Sequence, residues 1–184
     1  MKIVFLDRDG VINEFPGNGN YVTKLKDFHF IPGSLEALKR FKDHGYTVFV
    51  VSNQAGVGKG IYTQHKLDLI TRRMQEAVVK AGGKIQKVFY CTHTTQANCD
   101  CRKPAIGSIR AAMALMKKSI EHASNAYFVG DTEVDITAGK NAKCKTIFVL
   151  SGMNTKNLVS HWKVQPDYTV KDLLAASEII INNS

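Results

Sequence analysis

The chain has 184 residues, 44% of them hydrophobic and 22% charged, which fits one globular domain with its own core and excludes disorder, collagen and coiled coil. Four cysteines are too few for a secreted disulfide scaffold. A net charge of +9 favours anionic partners (nucleic acid, phosphorylated metabolites or anionic lipid) without choosing among them, and a solvated basic surface accounts for it equally well.

Ile3 to Leu6 reads as a buried strand ending at Asp7. Leu35, Leu38 and Phe41 at helical spacing predict a helix over Ser34–His44, stopped by Gly45. The β-branched run Thr47–Val51 is a second strand. A long helix follows over Thr63–Ala81, with Leu67, Ile70, Met74 and Val78 on one face and Gly82-Gly83 after it. Ile85–Tyr90 is a third strand, Ile106–Ile120 a helix entered after Pro104, Ala126–Val129 a fourth strand and Asp135–Ala142 a short helix. Thr146–Leu150 is a fifth strand, and Lys171–Ile181 a C-terminal helix.

Strand and helix alternate, and several strands are continuous apolar runs. That predicts a single doubly wound α/β domain over residues 1–184, with a parallel, Rossmann-like sheet covered on both faces. No run approaches about 18 apolar residues, so no membrane span is expected. The apolar start breaks at Asp7 and Arg8, too early for a signal peptide. The expectation is a cytoplasmic protein with reduced thiols. Ligands in such folds bind beyond the carboxyl ends of the strands, so the polar residues there are the place to look for chemistry.

The first strand ends in Asp7-Arg8-Asp9-Gly10. Two carboxylates at i and i+2 face one crevice and repel unless a cation lies between them. Oxygen ligands at a phosphate site suit Mg²⁺, and one carboxylate can serve as nucleophile while the other moves a proton. A solvated Asp/Gly turn is the plain alternative. The second strand ends in Ser52-Asn53-Gln54 and a glycine-rich stretch to Gly60, a hydroxyl and loop N–H groups able to hold a phosphate. It is not a P-loop, because Asn53 and Gly60 stand where that motif needs Gly and Ser or Thr. The fourth strand ends in Gly130-Asp131 with Asp135 one helical turn on, either a metal site or a helix N-cap. Arg102-Lys103-Pro104 places a basic pair before a helix, where it would neutralise a phosphate or simply face solvent. Jointly these segments supply carboxylates, a hydroxyl and a cation on one sheet edge, a kit for metal-assisted phosphoryl transfer through an aspartyl phosphate.

Cys91-x-His93 and Cys99-x-Cys101 give four soft ligands within one loop. Cys₃His is a structural zinc set with no open position for water, whereas free cytosolic cysteines beside a surface histidine are the alternative. Cys144 stands alone and reads as a small buried hydrophobe.

The order DRDG, SNQ, RKP, GDxxxD resembles the haloacid dehalogenase superfamily of aspartate-nucleophile phosphatases, and within it the branch of heptose-bisphosphate and histidinol phosphatases. The matching stretches, FLDRDGVIN, YVTKLKDFHFIPG, VVSNQAGVGKGIYT, YCTH…CDCRKP and VGDTEVDITAG, run from Ile3 to about Met153. The resemblance implies Asp7 as nucleophile and Asp9 as the group that protonates the leaving oxygen and then activates water. Ser52 and Lys103 would hold the phosphoryl group. Mg²⁺ would be bound by Asp7, the backbone carbonyl of Asp9 and Asp131, with Asp135 supporting Asp131 or Lys103 from behind. Asn53, Gln54, Arg102, Tyr21 and Lys59 would face the substrate. The resemblance also implies a minimal or absent cap domain and structural Zn²⁺ on Cys91, His93, Cys99 and Cys101, fixing the loop that carries Arg102 and Lys103.

The chain departs from that pattern at Thr132, where relatives often carry Lys or Arg, at Lys59, where Arg is usual, and in a longer Glu14–Asn20 stretch. These positions bear on specificity. The implied substrate is a small phosphorylated sugar, a heptose bisphosphate first, with histidinol phosphate or a polynucleotide 3′-phosphate as alternatives, and the implied state is a monomer. A zinc-stabilised nucleic-acid binding module is the reading from a different class. No basic stripe interleaved with aromatics supports it, and three bare aspartates would repel a phosphate backbone.

Overall fold

A computed structural model describes residues 2–17, 19–152 and 159–183. Strands β1 (Ile3–Leu6), β2 (Thr47–Asn53), β3 (Lys87–Cys91), β4 (Tyr127–Gly130), β5 (Lys145–Val149) and β6 (Tyr168–Val170) form one parallel sheet in the order β3-β2-β1-β4-β5-β6. The connecting helices are α1 (Ser34–Asp43), the single turn α2 (Ala55–Gly58), α3 (Gln64–Lys80), α4 (Gly107–Leu115), α5 (Glu133–Asn141) and α6 (Leu173–Asn182). Among the described residues, no helix is long and apolar enough to cross a membrane.

The apolar runs of the central strands are explained by burial on both faces. Val4 and Leu6 of β1 point to one side, where Leu38 and Phe41 of α1, Ile70 and Met74 of α3 and Ile180 of α6 cover them. Ile3 and Phe5 point to the other, against Ile109, Ala112 and Met113 of α4. Phe5 stacks between Phe49 and Phe128 with ring centres 5.8 and 6.2 Å apart, and each such buried ring contributes about 2–3 kcal/mol. Cys144 is buried in this second layer, as a small hydrophobe would be.

Strand order turns outward in opposite directions from β1 and β4, so the crevice beyond their carboxyl ends is the switch point of the sheet. The Asp7 N–H donates to Val129 O at 3.0 Å, carrying the β1–β4 ladder to the first catalytic candidate.

Four elements differ from the sequence expectations in ways that matter for the site or the sheet. β6 was not expected; it is a short edge strand whose residues are half-exposed or exposed, too brief for an apolar pattern. The helix expected over 106–120 stops at Leu115. Lys117 takes a left-handed backbone (φ 54°), its N–H bonds Ala114 O at 2.9 Å and the Lys118 N–H bonds Met113 O at 3.0 Å. This is a Schellman closure made without the glycine that normally announces one, and a 3-10 turn over Ile120–Asn125 follows. Finally, β2 and β3 run on to Asn53 and Cys91, so Ser52 and the first sulfur ligand sit on rigid strand ends.

Candidate active site

Four chain segments meet at the switch point. Asp7 follows β1, Ser52 ends β2, Asp131 follows β4, and Lys103 enters from the loop before α4. All four are buried, as is Asp135 in the first turn of α5. They line a cleft of about 270 Å³ together with Asp9.

Lys103 organises the floor. Its Nζ lies 2.8 Å from Asp7 Oδ1 and 2.6 Å from Asp135 Oδ1 and donates to Val51 O at 2.7 Å. Burial works against the ammonium, but the Asp135 and Asp7 carboxylates outweigh it and hold its pKa above the ordinary lysine value. The Lys103 backbone is fixed from β2: Asn53 Nδ2 donates to Lys103 O at 3.1 Å and accepts the Lys103 N–H on Oδ1 at 3.0 Å. Asn53 therefore lines the cleft with its amide already committed.

Asp131 is boxed in. Gly10 has a left-handed φ of 80°, and a Cβ built there would collide with Asp131 Oδ2. A Cβ on Gly152 would strike the same oxygen. Both positions need glycine so that the backbone can approach the carboxylate closely. Asp135 belongs to a capping box with Thr132: its Oδ2 accepts from the Thr132 N–H at 3.1 Å and the Thr132 hydroxyl at 2.6 Å, and its own N–H bonds Thr132 Oγ1 at 3.3 Å. The sequence left metal site and helix cap open as alternatives for this segment. Geometry gives Asp135 the cap and Lys103, and leaves Asp131 facing Asp7.

Carboxylate oxygens of Asp7, Asp131 and Asp135 lie within 4.8 Å of one another. Burial raises Asp7 to about 6; Lys103 opposes the rise, and Asp135 and Asp9 add to it. Crowded, buried, all-oxygen donors beside a single ammonium suit a small hard divalent cation, and Asp7 and Asp131 fit the Mg²⁺ role.

Asp9 is held at the cleft edge by bonds from several sides. Arg8 donates to Asp9 Oδ1 from Nε at 3.1 Å and to both oxygens from Nη2 at 2.9 Å. Asn13 Nδ2 adds a bond to Oδ1 at 2.8 Å, and Gln54 Nε2 one to Oδ2 at 2.8 Å. Sequence reasoning missed Arg8, Asn13 and Tyr62. A fully buried arginine between two aspartates has no sequence signal, since the same residue types make a solvated turn.

The substrate-facing expectations divide. Tyr21 lines the cleft, and Lys59 stands beside it with Nζ 3.3 Å from the Tyr21 hydroxyl. Gln54 does not line it: the side chain is buried under the floor, spanning Asp9 and Ser52 Oγ at 3.2 Å. Arg102 is also off the lining, its Nη1 donating to His93 O at 3.4 Å. The lip is instead supplied by Phe15, Pro16 and Asn20, from the long loop singled out in the sequence, and by Thr132 and Val134.

Beside the cleft, the sulfur loop brings its ligands together. Cys99 Sγ lies 3.5 Å from Cys91 Sγ and 3.4 Å from Cys101 Sγ, and His93 Nδ1 lies 3.8 and 3.4 Å from Cys91 and Cys101. A tetrahedral zinc with bonds of about 2.3 Å has edges of about 3.7 Å, so the donor set fits that ion. The loop is pinned to α2 by the Gln54 N–H on Cys91 O at 2.7 Å and the Gly58 N–H on Thr92 O at 3.0 Å.

The comparisons agree with this geometry. A family model described as HAD-hydrolase-like matches residues 100–176. Among curated relatives, the D-glycero-β-D-manno-heptose-1,7-bisphosphate 7-phosphatase of Neisseria meningitidis is 34% identical over 92% of this chain and 88% of its own. The enzyme of that name from Helicobacter pylori is 37% identical over 81% of this chain and 83% of its own. Among solved structures, the D,D-heptose 1,7-bisphosphate phosphatase of B. bronchiseptica, complexed with magnesium and phosphate, superposes with a TM-score of 0.90 at 29% identity, covering 100% of both chains.

The chain belongs to the haloacid dehalogenase-like phosphatases, and it is an enzyme of that class. Within the class, the two relatives and the solved structure named above are heptose-bisphosphate phosphatases.

Proposed function

We propose that this enzyme removes the 7-phosphate of D-glycero-β-D-manno-heptose 1,7-bisphosphate with Mg²⁺ as cofactor. The observation that carries the reading is the buried Asp7 carboxylate, ion-paired to Lys103 at 2.8 Å and facing Asp131 at the switch point. The names of the relatives support the substrate, and magnesium with phosphate in the B. bronchiseptica structure supports the cofactor.

Asp7 Oδ attacks phosphorus in line, and the bond to the sugar oxygen breaks. Asp9 gives its proton to the leaving alkoxide. Lys103 and the Ser52 hydroxyl hold the phosphoryl oxygens as charge moves onto them. Asp9, now ionised, takes a proton from a water that attacks the phosphorus and frees Asp7 and inorganic phosphate. Mg²⁺, bound by Asp7, the Asp9 carbonyl and Asp131, supplies positive charge against the phosphoryl group. Tyr21, Lys59 and the lip residues Phe15, Pro16 and Asn20 contact the sugar, which enters without a separate cap domain. Cys91, His93, Cys99 and Cys101 would hold Zn²⁺, which would brace the loop that delivers Lys103. The enzyme works as a monomer in the cytoplasm, where its thiols stay reduced.

Phosphate release with Mg²⁺ is the test, across both anomers of heptose 1,7-bisphosphate, histidinol phosphate, fructose 1,6-bisphosphate and a 3′-phosphorylated oligonucleotide. The β-heptose is expected to exceed every other substrate in kcat/KM by at least about tenfold. Preference for histidinol phosphate or the oligonucleotide would keep the chemistry and overturn the substrate.

A further inference from the structure

Asp9 is wrapped in a buried network that the phosphoryl-transfer roles do not require. Arg8 has no exposed surface; its Nε and Nη2 are spent on Asp9, its guanidinium lies over the face of Tyr90, 5.5 Å from the ring centre, and Nη1 has no hydrogen-bond partner among the described residues. Gln54 is buried as well and splits its amide N–H groups between Asp9 Oδ2 and Ser52 Oγ. The acceptor-only Asp9 carboxylate sets the amide's orientation, since a turned-over amide would face it with a carbonyl. The Tyr62 hydroxyl then anchors the far end, donating to Gln54 Oε1 at 2.6 Å. Asn13, with no exposed surface, completes the set at Asp9 Oδ1. Burying an arginine and two amides is costly unless each is paired, and this cluster converges on one carboxylate.

We propose that Arg8, Asn13 and Gln54, the last oriented by Tyr62, are positioning residues that fix the rotamer of Asp9 and couple it to Ser52, so that the proton donor and the phosphate-holding hydroxyl are set as one unit. The inference rests on Asp9 being the proton-transfer group of the proposed reaction. Three of the clamp's side chains bond Asp9 and only Gln54 reaches Ser52, so its loss is felt most where Asp9 must move a proton, while a looser Ser52 costs both kinds of substrate alike. A sugar alkoxide leaves with the Asp9 proton. A dinitrophenolate carries off the electron pair of the broken P–O bond unprotonated, and needs none.

The experiment is rapid-mixing, first-turnover kinetics with Mg²⁺ on two substrates, heptose 1,7-bisphosphate and 2,4-dinitrophenyl phosphate. The variants are Tyr62→Phe, Arg8→Lys and Asp9→Asn. Tyr62→Phe removes one hydroxyl and keeps the ring packed, so it reads the clamp even if the Arg8 variant folds poorly. Expected for Tyr62→Phe is a fall of about tenfold in the first turnover of the heptose substrate, a dinitrophenolate burst within about threefold of wild type, and an unchanged KM. Arg8→Lys shows the same split, larger. Equal loss on both substrates, or no loss on either, overturns the clamp. If Asp9→Asn itself spares the heptose substrate, the proton-transfer reading of Asp9 fails instead, so the two failures are told apart.

Discussion

The two donor clusters of this molecule are built on opposite plans. The carboxylates come from strand ends far apart in sequence, are buried, and are partly neutralised by Lys103. The sulfur cluster comes from one loop, is partly exposed, and needs only local chain to close. Hard oxygen donors around a cleft leave room for substrate; four soft donors filling a tetrahedron leave none. The lesson is a division of labour that the proposed function assigns: the carboxylate cluster, open to a cleft, suits chemistry, and the sulfur cluster, whose four donors would close around an ion, suits the positioning of a loop.

The sharpest way to break that division is Asp7→Asn. Turnover should fall by about 10⁴-fold or more with circular dichroism and zinc content unchanged. Activity near wild type would remove Asp7 from the role of nucleophile. Next comes Asp135→Asn, which strips one of the two carboxylates paired with Lys103 and weakens the α5 cap. Urea unfolding should register a loss of about 3 kcal/mol, the typical cost of breaking a buried ion pair; a loss below about 0.5 kcal/mol would show that Asp7 alone suffices for Lys103. For the sulfur cluster, Cys99→Ser should take zinc below one equivalent per chain by atomic absorption and lower kcat by about 10–100-fold. Full activity in zinc-free protein would separate the loop from Lys103 positioning altogether.

The smallest effect is in pH dependence. Asp7 is raised to about 6 from an ordinary value of 3.8, so between these values the folded state binds more protons than the unfolded one. Stability without added Mg²⁺ should therefore fall as pH rises from about 4 to 6, by about 2 kcal/mol from this group. Asp7→Asn removes the slope. The urea midpoints of the two proteins should draw apart, in favour of the variant, as pH rises from about 4 to 6, and keep that separation near pH 7. Parallel curves would mean that Lys103 compensates the Asp7 charge fully.

Much of this was legible in the chain. Continuous runs such as Ile3–Leu6 and Tyr127–Val129 announce strands buried on both faces, and acids follow them directly, so strand-end chemistry can be read locally. The Cys-x-His and Cys-x-Cys pairs are equally local. What stayed hidden depends on direction rather than identity. Gln54 follows Ser52 and Asn53 in one motif, yet β2 runs through Asn53 and the chain then turns, so Gln54 dives beneath the floor that Asn53 lines. Arg102 and Lys103 are neighbours of like charge, but only Lys103 reaches the cleft. Lys117 ends α4 as glycine would, and β6 is too short for a pattern.

The separation of the two clusters along the chain also bears on how the enzyme is made. Cys91 to Cys101 emerge from a ribosome together, so an ion on that loop would be held early. Asp7 must wait for Asp131 until β2, β3 and α1 to α4 have all been synthesised, because β4 is the neighbour that brings the second carboxylate. Until then the β4 side of β1 is an unpaired apolar edge, a surface for misassociation in a crowded nascent chain. A truncated product ending before β4 would keep Asp7, Ser52 and Lys103 but lack Asp131 and Asp135, leaving Lys103 with one carboxylate partner and Asp7 without the acid it faces.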